Sequence, residues 1–194
     1  RKLFINRELS WLDFNLRALE NARDKETPLA ERLNFLAITQ SNQDEFVSVR
    51  MGSLRRQRAG GLHTRDFSGY TINEQIDAVG KKLKRLIKKE YSCYQRQIVP
   101  ALKRYGIRFL LPEELDSQQM AYAEQFYDRE LHPILTPMAV DQGRPFPLIM
   151  HGTQNIAVLL EQEGEDQHFA TVQVPSNVPR LVEIPRGTWS EEEL

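Results

Sequence analysis

The sequence of 194 residues has one cysteine, Cys93, which excludes an internal disulfide and any cysteine-based metal cluster. It also lacks long hydrophobic runs. Its longest apolar stretches, near residues 33 to 38 and 155 to 160, fall far below the ~20 residues that a membrane span needs. The first residues have no leader-like apolar core, so a soluble, cytoplasmic protein is expected. With 40% hydrophobic and 27% charged residues the chain is neither collagen-like nor disordered. Its four histidines, His63, His132, His151 and His168, show no metal-ligand spacing and no nucleophile motif. Gly60-Gly61 lacks the Gly-Lys-Ser/Thr of a phosphate-binding loop. No catalytic constellation is complete, and neither a catalytic residue nor a metal ligand is assigned.

What is present is a strong division of charge, hidden by a formal net charge of -1. Residues 1 to 105 carry 21 Lys+Arg against 12 Asp+Glu, giving +9, and residues 106 to 194 carry 5 against 15, giving -10. Two domains are expected, meeting at the helix-stopping Gly106. A basic half attracts polyanions such as phosphate polymers, nucleic acid or anionic lipid, but it equally suits an acidic neighbour.

The periodicity of the first half predicts an α-helical bundle. A first helix is expected from about Trp11, capped by Ser10, with Trp11, Leu12, Phe14, Leu16, Ala18 and Leu19 as its apolar face. A second is expected with Thr27 as cap, Pro28 at its first position, Leu29, Leu33, Leu36 and Ala37 inward, and an end near Gln40. Asn42 and Glu45 resemble a capping box that opens a third helix, with Ser41 and Asp44 as a competing register, and Gly60-Gly61 stops that helix. Residues 59 to 70 read as a mobile loop. Thr71 and Glu74 form a further capping box, opening one long helix to about residue 104 with a kink at Pro100.

The second half predicts a partial α/β (α+β) domain with a short antiparallel sheet. Residues 107 to 111 resemble a strand, and Ser117 caps a helix to about Leu131 that buries Met120, Ala123, Phe126 and Tyr127. The prolines at 133, 137, 145 and 147 imply an extended connection. Strands are expected at residues 155 to 160, 168 to 174 and 181 to 184, and an incomplete helix at 189 to 194. That last feature reads as a chain cut within a larger fold, which would leave apolar surface or an unpaired edge strand exposed.

Several polar residues have both a structural and a functional reading. Asn42 caps a helix or presents an amide donor and acceptor to the edge of a purine. Arg50, Arg55 and Arg56 are solvated or line a channel for phosphate oxygens. Lys81, Lys82, Lys84, Arg85, Lys88 and Lys89 form a solvated helix face or a polyanion contact.

Several long motifs resemble the N-terminal region of bacterial polyphosphate kinase of the first type. They are Asn6-Arg7-Glu8-Leu9-Ser10-Trp11-Leu12-Asp13-Phe14-Asn15, Pro28-Leu29-Ala30-Glu31-Arg32-Leu33-Asn34-Phe35-Leu36-Ala37-Ile38, and Ser41-Asn42-Gln43-Asp44-Glu45-Phe46 with Val49-Arg50. In the second half, Pro133-Ile134-Leu135-Thr136-Pro137-Met138-Ala139-Val140-Asp141, Pro145-Phe146-Pro147 and Asn155-Ile156-Ala157-Val158-Leu159 resemble the start of that family's head domain. Gln43 stands where the family usually has leucine, and Arg144 where it usually has histidine.

The resemblance implies reversible transfer of the terminal phosphate of ATP to inorganic polyphosphate through a phosphorylated histidine, with Mg2+, in a homodimer. It implies an N-terminal helical domain over residues 1 to 105 and a truncated head domain over 106 to 194. It places Asn42 at the ATP adenine and the phosphorylated histidine in further C-terminal domains. The partners implied are ATP or ADP, polyphosphate and those C-terminal domains, with no nucleic acid expected, and a peripheral place at the inner membrane stays open. The alternative is a non-catalytic basic helical module that binds polyphosphate or nucleic acid, and a third reading is a dimerisation scaffold.

Overall fold

A computed structural model of the chain describes residues 3 to 140, 143 to 161 and 168 to 184. The first helix, α1, runs Arg7–Arg23 and is capped by Asn6, whose Oδ1 accepts from the Leu9 amide at 2.9 Å. It therefore begins before the expected Ser10, because Asn6 supplies the better-placed acceptor. Its buried residues are Glu8, Leu12, Asn15, Leu19 and Ala22, spaced by four and three, so the buried stripe is narrower than the expected face. Phe14 is exposed.

Helix α2, Leu29–Glu45, starts with Pro28 itself at the cap position. It does not stop near Gln40, and no third helix opens at Asn42. The chain continues through a wider π turn, Phe46–Met51, directly into α3, Gly52–Ala59. The capping-box residues therefore lie inside one continuous helical rod. Tertiary packing overrides the local signal: Phe46 is buried and its ring stacks on Trp11 with centroids 4.7 Å apart. Helix α3 ends at Gly60-Gly61, where Gly61 adopts φ +73°, a left-handed conformation that glycine takes at little cost. The following loop is not free throughout, since Asp66 accepts from the Ser68 hydroxyl, the Asn6 amide and the Tyr70 backbone N–H.

The Thr71–Glu74 capping box opens α4, Ile72–Cys93, as its sequence indicated. A second π turn, Tyr94–Ile98, and α5, Val99–Arg104, complete the long helix. Pro100 has no N–H to give and its ring crowds the preceding turn, which accounts for wide bonding there. The buried stripe of α4 is Ile72, Gln75, Val79, Leu86, Glu90 and Cys93, and on α2 it is Arg32, Leu36, Thr39 and Gln43. Leu33 and Ala37, expected inward, instead line the open groove between α2 and α4. The core joins Leu12, Leu19, Leu36, Phe46, Val79, Leu86 and Ile98. Charged and amide side chains occupy seam positions on all three long helices, and each needs a partner across the seam.

These elements form one compact unit, Arg1–Arg108, and Phe109–Leu194 forms another. Residues 107 to 111 form no strand, and in the second unit Asp116, one residue before the expected Ser117, caps α6, Ser117–Phe126. A π turn, Tyr127–Leu131, extends α6 to the expected end, and Tyr127 is exposed. The proline-rich stretch contains a strand, β1, Pro137–Val140, with proline at its first position, where the lost donor is tolerated. With β2, Asn155–Leu160, and β3, His168–Gln173, it makes an antiparallel sheet of order β1-β3-β2. Residues 181 to 184 form no strand, and the helix expected at 189 to 194 lies outside the described residues. Ile156, Leu159 and Leu160 of β2 are exposed, as is Met138 of β1, so apolar side chains do face outward on both edge strands. The fold class is that of a helical bundle followed by a small antiparallel α+β unit.

Candidate functional site

Asn42 lies on α2, one turn before Glu45, and is half-buried. It does not cap a helix. Its Nδ2 donates to Oδ1 of Asn15 at 2.9 Å, and Asn15, fully buried on α1, donates its own Nδ2 to the Thr39 carbonyl at 3.0 Å. Oδ1 of Asn42 has no protein partner among the described residues.

Beside Asn42 along the helix, Gln43 is buried and its Nε2 donates to Oε2 of Glu90 on α4, and also to the Thr39 carbonyl at 3.4 Å. Burial pushes the Glu90 carboxyl above its ordinary value of 4.5, the Gln43 hydrogen bond opposes that, and nearby Asp44 adds to it. Glu90 also lines a groove of about 250 Å³ with Leu33, Leu36, Ala37, Gln40, Tyr91 and Tyr94.

A second cleft of about 290 Å³ opens between the start of α1 and the π turn, lined by Arg7, Glu8, Glu45, Val49, Arg50 and Ser53 among others. Glu8 is its buried floor. Arg7 donates to Glu8 Oε1 from Nε at 3.0 Å and Nη2 at 2.7 Å, and Arg50 stands 3.9 Å from the same oxygen. The other oxygen, Oε2, is buried without a hydrogen-bond partner among the described residues. Asn42 lines neither opening, while Gln40 and Glu45, on either side of it, line one each.

The sequence candidates do not gather into one place. Arg50 sits at the Glu8 cleft, whereas Arg55 and Arg56 beyond the π turn are exposed and line neither opening. On α4, Lys82 is drawn to α1, donating to the Leu9 carbonyl at 2.9 Å and pairing with Asp13 at 2.5 Å. Lys81, Lys84, Arg85, Lys88 and Lys89 remain exposed and make no ion pair among the described residues. Asn15, Glu8 and Glu90 were not singled out from the sequence. Their signal was present, since each is a polar residue at the three-and-four spacing of an apolar stripe.

Residues 4–110 match the family model for the polyphosphate kinase N-terminal domain, and residues 118–193 match the polyphosphate kinase middle domain. The chain is 45% identical over 184 residues to the polyphosphate kinase of Lactiplantibacillus plantarum, covering 94% of this chain and 26% of that protein. It is 41% identical over 190 residues to the polyphosphate kinase of Mycobacterium tuberculosis H37Rv, covering 97% and 26%. Among solved structures it is similar to the polyphosphate kinase of Porphyromonas gingivalis, with a TM-score of 0.73, 29% identity, and coverage of 95% of this chain and 27% of that one. The chain thus spans about a quarter of the length of the relatives it matches.

Proposed function

The chain belongs to the polyphosphate kinase family, and on that premise we propose that it forms the N-terminal and middle part of a cytoplasmic enzyme moving phosphate reversibly between ATP and inorganic polyphosphate. In this reading a phosphorylated histidine carries the phosphate, none of His63, His132, His151 and His168 fills that role, and the 194 residues alone polymerise no phosphate from ATP. The whole enzyme is a homodimer. In this reading the ligands of the reaction's Mg2+ lie in the C-terminal domains of the full-length enzyme and not in this chain.

The part played by this chain is contact with the adenine base through Asn42. The observation that supports it is the amide of Asn42, anchored through one N–H to Asn15 and keeping a carbonyl oxygen and a second N–H for a ligand. A carboxamide with one acceptor and one donor matches the edge of adenine. The test is Asn42→Ala in the full-length enzyme. KM for ATP should rise about tenfold while KM for polyphosphate stays constant, since a matched bidentate base contact is worth ~1–3 kcal/mol. Equal change in both constants, or none, would remove Asn42 from the base.

A second reading rests on a separate observation, the row of five exposed cations on α4 that make no ion pair among the described residues. It makes that face a track for polyphosphate. Replacing Lys81, Lys84, Lys88 and Lys89 with Gln should weaken polyphosphate binding and flatten its dependence on salt, because each phosphate contact releases counterions. An unchanged salt slope would return these lysines to plain solvation.

A further inference from the structure

We propose that Asn15 is a positioning residue that sets which way the Asn42 amide faces and thereby makes the base site select a 6-amino over a 6-oxo purine. The inference rests on the reading that Asn42 meets the base. It follows from hydrogen-bond bookkeeping that begins at an atom with only one capability. The Thr39 carbonyl accepts and cannot donate, so the group of Asn15 that faces it at 3.0 Å is the NH2. The other end of the Asn15 amide is then its oxygen, which also only accepts. Asn42 must therefore turn its own NH2 toward Asn15, at 2.9 Å, and its oxygen elsewhere.

One fixed backbone carbonyl thus determines two side-chain amides in series. Asn15 is fully buried, so no water substitutes for either partner. Thr39 is fully buried as well, and its hydroxyl is occupied by the Phe35 carbonyl at 2.8 Å, which leaves the Thr39 carbonyl to Asn15 and to Gln43. Asn42 keeps an acceptor and one N–H in a fixed order.

Adenine offers an exocyclic amine beside a ring-nitrogen acceptor, which fits that order. Guanine offers an exocyclic oxygen at the same place, which meets the Asn42 oxygen as acceptor against acceptor. At the edge where adenine presents its amine beside N1 and guanine presents O6 beside N1–H, a free Asn42 amide would turn over and accommodate either base, so selectivity depends on the clamp. The signature of the clamp is that it needs only an acceptor facing Asn42, not an asparagine as such.

That distinction supplies the experiment, done in the full-length enzyme with the ratio of kcat/KM for ATP to that for GTP as readout. The wild-type enzyme should favour ATP at least tenfold. Asn15→Ala, which frees the Asn42 amide, should lower that ratio about tenfold, close to the value of Asn42→Ala. Asn15→Asp should keep it. Ionised, or protonated to donate to Thr39, its oxygen toward Asn42 still accepts, so the amide stays oriented even though the fold is weakened.

Loss of the ratio in both Asn15 variants would make Asn15 a merely structural residue and overturn the proposal. Retention of the ratio in Asn15→Ala, with loss in Asn42→Ala, would overturn it too but leave the base contact standing. No change in Asn42→Ala, or equal use of ATP and GTP by the wild type, would remove the base contact itself. Should Asn15→Ala fail to fold, Asn15→Leu takes its place with the same expectation, because a side chain of similar volume offers Asn42 neither donor nor acceptor and fixes no orientation.

Discussion

Replacing Gln43 by Leu would leave the Glu90 carboxylate buried with its hydrogen-bond donor removed, at nearly unchanged side-chain volume. Gln43 is 3% exposed and Glu90 5%, so water does not make good the loss. A hydrogen bond to a charged group contributes ~1.5–3 kcal/mol, so the substitution should cost about 2 kcal/mol near neutral pH. For a cooperative unit of this size that lowers Tm by on the order of 10 °C. The cost depends on pH with a definite sign. Burial raises the folded-state pKa of Glu90 above 4.5, so between 4.5 and that raised value the native state holds more protons than the unfolded one. Glu90 thus lowers stability as pH rises through that window, and removing the Gln43 donor widens it. Urea unfolding followed by circular dichroism should show a loss for Gln43→Leu that shrinks to about 1 kcal/mol at pH 4, where the neutral acid needs no donor. The double variant Gln43→Leu/Glu90→Leu should recover most of the loss at pH 8. Equal losses at pH 4 and pH 8, or a double variant no better than the single one, would refute the reasoning.

Two other groups give equally direct expectations. Cys93 is 1% exposed and burial raises its thiol above the ordinary 9.0, so an aromatic disulfide reagent should leave it unmodified in the native chain and titrate it only on unfolding; rapid native reaction would contradict its placement. Burial by itself would raise Asp66, but hydrogen bonds from Ser68, Asn6 and Tyr70 outweigh it and hold its carboxyl below 3.8. The stability it lends is therefore present above 3.8 and lost as pH falls through the lowered value. Asp66→Ala should release the Tyr70 amide to hydrogen exchange at least tenfold faster without changing exchange at Val79, whereas unaltered Tyr70 exchange would show that the loop is held by other contacts.

The sequence made some of this legible and concealed the rest for physical reasons. The Thr71–Glu74 box was readable because both of its reciprocal hydrogen bonds are local, and Arg65, which also reaches Glu74 Oε2 at 3.2 Å, joins them without displacing either. Asn42 with Glu45 shows the same local pattern inside a continuous rod, where burial of Phe46 against Trp11 holds the backbone helical. The strand in the proline-rich stretch was concealed because its partner β3 lies some thirty residues further on. The resemblance could nominate Asn42, but its state follows from Asn15 and Thr39, whose role depends on how α1 meets α2. Helical spacing places Asn15 on the buried stripe without naming its partner.

The turn Phe46–Met51 has a consequence at the level of the reading frame. Its bonding reaches one residue further than that of an α-helix, which is how a single inserted amino acid is absorbed without breaking the rod. The buried positions step by five from Phe46 to Met51 and by three from there to Leu54, so the wide turn takes up the extra residue and keeps α3 on the stripe that α2 began. A one-codon deletion there would restore regular winding and leave Met51 and Leu54 facing the core, whereas a deletion within the regular part of α2 would rotate all that follows by about 100°. Lineages that differ in length along this rod should therefore do so at the wide turn and not within the regular helix on either side.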